Sequence, residues 1–335
     1  MSFKRLDPED FVVSSDSITS TLWSTGNPSL TSFFTSSTQE AGSSGDFYLS
    51  VYQTSSTSDI ASVQFDVVYC DSLGSGSTLY NNMVAGNSPT KTMYGQYRSL
   101  ILEDENAVFT FGTDNNVITG SYFWVINIER SRYKESLFPG SLNLTLSGSG
   151  GRIRLTDNSN DVSVNTFLGS TRVFQLVSGS NGSSISGGGY VTNSGSYGLV
   201  FPDLGVIMLN PHAISQSIRV APSRSNNSEG FNNRTLINSI SLGSSFSLNS
   251  QETITSDYIF VRARNSEFNY SENPTFISGS TGEVIYDEFI NHPQTYITTV
   301  GFYNDSNELL AVAKMSRPLL KDFTKEALVR VKLDF

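Results

Sequence analysis

Towards its carboxyl end the chain arranges apolar and polar positions in blocks. Residues 295–302 and 309–315 are apolar, partly β-branched runs, separated by Tyr303-Asn304-Asp305-Ser306-Asn307-Glu308. Asn and Asp hydrogen-bond their own backbone and tolerate positive φ, so this cluster turns the chain. Two such runs across a turn predict a β-hairpin. Arg317-Pro318 is expected to end its second strand, because proline cannot donate to a strand ladder. In residues 328–335, Val329, Val331, Leu333 and Phe335 alternate with Arg330, Lys332 and Asp334. That period of two predicts a half-buried strand, with Phe335 facing the core.

The same reading gives strands at 47–52, 63–70, 108–111, 122–128, 141–147, 152–155, 172–177, 197–201, 206–209 and 258–264. Phe123-Trp124-Val125-Ile126 is apolar on both faces, which predicts a central strand. The runs at 141–147 and 152–155 pair as a hairpin across Gly148–Gly151, and 197–201 pairs with 206–209 across Pro202-Asp203-Leu204-Gly205. Ser88-Pro89 predicts a helix start, serine as N-cap and proline at the first helical position. Met93, Tyr97, Leu100 and Ile101 follow at spacings of three and four, and the helix is expected to stop near Leu102. Glu103-Asp104-Glu105 beyond it would oppose the helix dipole. A second short helix is expected at 234–242, with Leu236, Ile237 and Ile240 inward.

These elements predict a mainly β fold: antiparallel sheets in a sandwich-like body, one or two short helices, and long loops. Four segments follow. Residues 1–45 form an extended N-terminal arm whose apolar beads are Phe11-Val12-Val13, Leu22-Trp23 and Phe33-Phe34. The arm lies over this protein or a neighbour, or its beads are short strands of the main body. Residues 46–155 form a β-rich domain with one helix. Residues 156–195 are a Ser/Gly-rich excursion, and 196–335 a β-rich domain ending in the hairpin and final strand. No repeat of fixed period supports a propeller or solenoid.

Composition narrows the function. Of 335 residues only 16% are charged, and the net charge is −10. A phosphate-binding face needs the opposite sign, so no nucleic-acid partner is expected. Lys314, Arg317, Lys321, Lys325, Arg330 and Lys332 make the last stretch locally basic; it is either a solvated face or a face that docks on an acidic neighbour. Aromatic residues, 12% of the chain, argue against disorder. The one cysteine, Cys70, lies in an apolar run and reads as a small buried hydrophobe, consistent with assembly in a reducing cytoplasm. No apolar run approaches the length of a bilayer span and no secretory leader is evident, so no membrane insertion is expected.

Candidate chemistry is sparse. His212 and His292 both adjoin proline in loop-like contexts, without a second ligand at metal spacing. Asp157-Asn158-Ser159-Asn160-Asp161 resembles a calcium loop faintly, but lacks the following glycine and the terminal glutamate. Glu103, Asp104, Asp157, Asp161, Asp287 and Glu288 are carboxylates of the type a glycosidase pair needs, by type only. Tyr48, Tyr52, Tyr69, Tyr94, Tyr97 and Tyr133 could stack on sugars or fill a core or a subunit interface. No catalytic, cofactor-binding or metal-ligating residue is assigned, no cofactor is expected, and the chain reads as a non-enzyme.

Two blocks near the carboxyl end, EFNYSENPTF (267–276) and YITTVGFYNDSNELLAVAKMSRPL (296–319), carry a resemblance, with RYKESLFPGSL (132–142) and YGLVFPDLGVI (197–207) upstream. They resemble a C-terminal block in virion structural proteins of large contractile-tailed bacteriophages, cyanophage-like ones included, associated with tail and baseplate. The resemblance implies a non-enzymatic virion component, most naturally of the baseplate wedge or its surroundings. Its implied partners are other phage tail and baseplate proteins, with multiple copies per particle, and its implied place is the virion, assembled in the host cytoplasm. The alternatives are a host-recognition or carbohydrate-binding module on a fibre or spike, and a neck or capsid-surface protein. An envelope-degrading enzyme has the least support.

Overall fold

The computed structural model describes residues 4–23, 35–36, 47–53, 59–77, 83, 88–113, 116–185, 188–228 and 230–334. In chain order the strands are β1 (Phe11–Thr21), β2 (Thr35–Ser36), β3 (Leu49–Tyr52), β4 (Val63–Asp71), β5 (Phe109–Thr113), β6 (Asn116–Gly120), β7 (Tyr122–Ile128), β8 (Ser136–Leu137), β9 (Asn143–Gly148), β10 (Gly151–Asp157), β11 (Thr166–Leu168), β12 (Thr171–Ser180), β13 (Ser183–Ser184), β14 (Gly198–Phe201), β15 (Val206–Leu209), β16 (Phe246–Ser247), β17 (Asn249–Ala263), β18 (Thr295–Tyr303), β19 (Leu309–Lys321) and β20 (Ala327–Asp334). The helices are α1 (Pro89–Leu102), α2 (Pro211–Ile218), α3 (Phe231–Gly243) and α4 (Asp287–Asn291). The fold is mainly β with antiparallel sheets and short helices, as the periodicities predict. The chain divides into two compact units, one of residues 18–252 and one of residues 1–17 with 253–335.

The 18–252 unit is built on a twelve-stranded sheet, counted over the described residues, whose main path is β16-β9-β10-β12-β14-β15-β7-β4-β3-β2. β7 sits between β15 and β4, as its two-sided apolar pattern requires. Trp124, Ile126 and Ile128 enter one hydrophobic cluster and Phe123 and Val125 the other. The second cluster is covered by α1 and the β5–β6 hairpin, through Tyr94, Tyr97, Ile101, Phe109 and Phe111. Helix α1 has the bounds its sequence predicts, but it packs through Tyr94 beside Tyr97 and Ile101, while Leu100 is exposed. Ser88 holds the N-cap position without a side-chain capping bond.

On the other side the sheet closes over its own core. At about 4.8 Å per strand, a flat sheet would put β16 and β4, seven places apart on the path, about 34 Å from each other. Instead the rings of Phe246 on β16 and Phe65 on β4 meet edge-on, 5.4 Å between centroids, and Trp23 lies 4.7 Å from Phe246. The expected sandwich-like body is therefore one sheet curled round a core, as long twisted sheets do. Helix α3 fills the opening with Leu236, Ile237 and Ile240, the inward residues its sequence predicts. It lies so close to β9 that a Cβ on Gly243 would fall 1.8 Å from the Thr145 carbonyl oxygen. Trp124 Nε1 donates to the Asn232 carbonyl at 2.9 Å and ties the same helix to β7.

Residues 156–195 are not an excursion from this body. β12 lies mid-sheet, between β10 and β14, and buries Val173, Phe174, Leu176 and Val177. The Ser/Gly-rich stretch begins only at its end, where β13 folds back on Gly179 and Ser180. Of the N-terminal beads, Leu22 and Trp23 are buried in the core of the 18–252 unit, so they anchor on this protein itself. Phe33-Phe34 lies outside the described residues.

In the other unit, β17 and β20 pair antiparallel from Ser256↔Asp334 to Ala263↔Ala327, with β1 on the far side of β17. β20 alternates as its sequence predicts: Ala327, Val329, Val331 and Leu333 turn in, Leu328, Arg330, Lys332 and Asp334 out. Phe335 lies outside the described residues. β18 and β19 form the expected hairpin, but Pro318 does not end β19, which runs on to Lys321. The register steps from Ile297↔Leu319 to Thr299↔Lys314, so residues 315–318 form a bulge, one of the few places a strand accommodates proline. At the hairpin's base the buried Lys321 donates through Nζ to the carbonyls of Asn265 and Asp322 (3.0 Å each) and to Asn269 Oδ1 (2.7 Å).

Candidate interaction surface

The β18–β19 hairpin is apolar on both faces. Val300↔Ala313 and Phe302↔Ala311 line one face, and Gly301↔Val312 with Tyr303↔Leu309 the other. A strand pair with this pattern belongs between two layers. Here the described residues bury neither face fully: Val300, Phe302, Ala311 and Ala313 are half-buried, and Tyr296, Leu310 and Val312 are 63, 67 and 57% exposed. Full burial of such side chains is worth about 1.5–3 kcal/mol each. A two-stranded ribbon without a packed face is marginal in water. The hairpin thus carries apolar surface that the described residues of its own unit do not fully bury.

Beside it runs an open groove of about 440 Å³, lined by residues 313–317 of β19 and 328–332 of β20. Consecutive rather than alternate residues line it, so the strands present their edges. Lys314, Arg317, Arg330 and Lys332 make it basic; Lys332 also pairs with Asp334 at 2.8 Å, and Arg330 lies 5.7 Å from the Tyr258 ring centroid. Residues 309–335 hold six basic and three acidic residues, whereas 1–308 hold 15 basic and 28 acidic. Four of the six basic residues of this stretch thus line one groove, while Lys321 is buried and Lys325 pairs with Asp322 at 3.6 Å.

In the 18–252 unit the polar residues support the fold. Asp71, fully buried at the end of β4, accepts from Arg224 Nε (2.6 Å) and Nη2 (3.1 Å) and from the Leu73 amide (2.8 Å). The Arg224 guanidinium also stacks on Tyr122, so the loop after α2 is pinned to the sheet. His212 is not in a loop: it is the second residue of α2, whose N-cap Asn210 accepts its amide at 3.1 Å. Burial and the nearby Arg224 hold its imidazole below the usual histidine value. His292 follows α4 in the other unit.

The candidate carboxylates serve separate local tasks. Asp157 is buried and accepts the amides of Gly140 (2.9 Å) and Ser159 (3.1 Å), and Asp161 accepts the Ser184 amide (2.7 Å). The faint calcium loop is thus spent on turn hydrogen bonds. Glu103 Oε1 accepts the Ser170 hydroxyl at 2.5 Å, and Asp104 caps the turn at Asn106. Asp287 and Glu288 lie in the first turn of α4. Among the described residues no group of three or more His, Cys, Asp or Glu could hold a metal ion, and no helix is long and apolar enough to cross a membrane. Of the six candidate tyrosines, Tyr69, Tyr94, Tyr97 and Tyr133 are core residues, and Tyr48 and Tyr52 are half-buried. Among the described residues the exposed tyrosines are others: Tyr270, Tyr286, Tyr296 and Tyr303, all from the 253–335 segment.

No protein-family model, curated protein or solved structure matches this chain.

Proposed function

We propose that this protein is a non-catalytic structural subunit of a contractile-tailed bacteriophage particle, in or beside the baseplate wedge. It works by packing against neighbouring tail proteins. The observation that carries this reading is the β18–β19 hairpin, apolar on both faces and fully buried on neither by the described residues. A partner chain laid on either face would supply the missing layer, and interfaces between permanent partners resemble a domain core divided in two. The resemblance of residues 267–276 and 296–319 to tail and baseplate proteins supplies the setting. Nucleic acid is not a proposed partner of a chain with net charge −10, nor is a bilayer.

Crosslinking of intact particles tests it. Lys314, at the hairpin, and Lys325, beyond it, should link to other tail proteins, and amides of β18 and β19 should exchange more slowly in the particle than in the free chain. A chain missing from purified particles, or a hairpin that exchanges equally in both, would refute it.

A second reading draws on the exposed Tyr270, Tyr286, Tyr296 and Tyr303, since tyrosine rings stack on sugars: a carbohydrate-binding module on a fibre or spike. Binding on a glycan array that is lost in Tyr296→Ala would favour it over the structural role.

A further inference from the structure

The sheet of the unit made by residues 1–17 and 253–335 has two unlike edges. Its path runs β1-β17-β20, so among the described residues β1 closes one side and β20 the other. Each edge leaves a row of backbone amides and carbonyls without a strand partner, the usual template for pairing with another chain.

The edges differ in charge. Residues 7–17, the first turn and start of β1, contain Asp7, Glu9, Asp10 and Asp16 and no basic residue. β20 carries Arg330 and Lys332 outward, and across the groove stand Lys314 and Arg317. Edge strands usually bear charges or proline that discourage pairing. β1 instead exposes three consecutive apolar residues, Phe11, Val12 and Val13, at 43, 48 and 58%. Opposite them the β20 side of the groove offers Leu328, Val329 and Val331.

We propose that copies of this chain add head to tail, the acidic β1 edge of one copy entering the basic groove and pairing with β20 of the next. Like-with-like pairing is disfavoured: β20 against β20 would oppose Arg330 and Lys332 to themselves, and β1 against β1 would oppose four carboxylates. Unlike edges give a heterologous contact, which builds a ring if the rotation closes and a filament if it does not. This goes beyond docking on other tail proteins and uses a different surface from the hairpin faces, so either can fail alone.

The test is self-association of the purified full chain by sedimentation velocity. At 200 µM in 50 mM salt it should form species larger than a monomer, and these should shrink toward monomer in 500 mM salt. Two charge-reversed variants, Glu9→Lys/Asp10→Lys/Asp16→Lys and Arg330→Glu/Lys332→Glu, should each remain monomeric alone. Mixed one to one, they should associate again, because each supplies the edge that the other lacks. Restoration by mixing also shows that both variants are folded. A wild-type chain that stays monomeric in 50 mM salt overturns the proposal. So do variants that associate as well as wild type, and a mixture that stays monomeric.

Discussion

Replacing Phe246 by alanine tests the curl of the large sheet. The side chain is fully buried and lies between Trp23, 4.7 Å away, and Phe65, 5.4 Å away in an edge-on contact. Phe→Ala in a core costs about 3–5 kcal/mol through lost burial and the cavity left behind. The site cannot collapse easily, because Trp23 follows a residue held by the Leu22 N–H donating to the Leu248 carbonyl at 3.1 Å. Two aromatic contacts also disappear, each worth about 0.5–1.5 kcal/mol beyond burial. The expected loss is therefore about 4–5 kcal/mol, near the top of the range. In a unit of this size about 2–4 °C of melting temperature goes with each kcal/mol, so the midpoint should fall by about 8–20 °C. Tryptophan fluorescence is the natural assay: Trp23 and Trp124 are the only tryptophans, and both belong to the cluster the curl encloses. The native emission should also shift to the red as Trp23 becomes wet. A loss under about 1 kcal/mol with unshifted emission would mean that β16 does not lie over β4, and the curled architecture would be wrong.

Other expectations follow from single side chains. Gly95, mid-way along α1, has nothing within 4 Å of where an added methyl would stand, so Gly95→Ala should stabilise the unit by about 0.5–1 kcal/mol, read as a raised urea midpoint. Gly243→Ala should do the reverse and lower that midpoint sharply, since its Cβ meets the Thr145 carbonyl; a neutral result would place α3 farther from β9. Cys70 is buried, which pushes its thiol well above the ordinary value, so a thiol reagent should find none in the native protein and one after unfolding. Burial raises the Asp157 carboxyl above its ordinary range, although the Ser159 and Gly140 hydrogen bonds pull the other way. A raised folded-state value gives stability that is present below the ordinary carboxylate pKa and lost as pH climbs through the raised one. The melting difference between Asp157→Asn and wild type should therefore favour the variant more at pH 7 than at pH 4, and a pH-independent difference would contradict the shift.

What could be read from the chain was whatever lies in a short window. The β18–β19 hairpin, β7 with its two apolar faces, the β14–β15 hairpin and both long helices follow from period and turn chemistry, which act locally. Helix α2 was missed, its His212 read as loop: Asn210-Pro211 repeats the N-cap and first-turn signal of Ser88-Pro89, but eight residues are too few for the apolar period to stand out. The place of β12 was not legible, since nothing in Ser/Gly-rich flanks says that the strand between them lies mid-sheet. The curl depends on Phe65 and Phe246 meeting across 180 residues of sequence, and no local pattern encodes that. For the interaction surface, the apolar runs of the hairpin were plain; that no described residue buries them fully is a property of tertiary structure alone.

The smaller unit draws on two stretches of chain more than 230 residues apart, 1–17 and 253–335. A growing polypeptide can complete the 18–252 body while β1 still waits for β17 and β20 to be synthesised, and such distant pairings are slow to close. A product cut short before residue 327 would have a sound larger body and no β20. If copies add through the β20 edge, incomplete chains would accept no neighbour there and would be left out of the assembly.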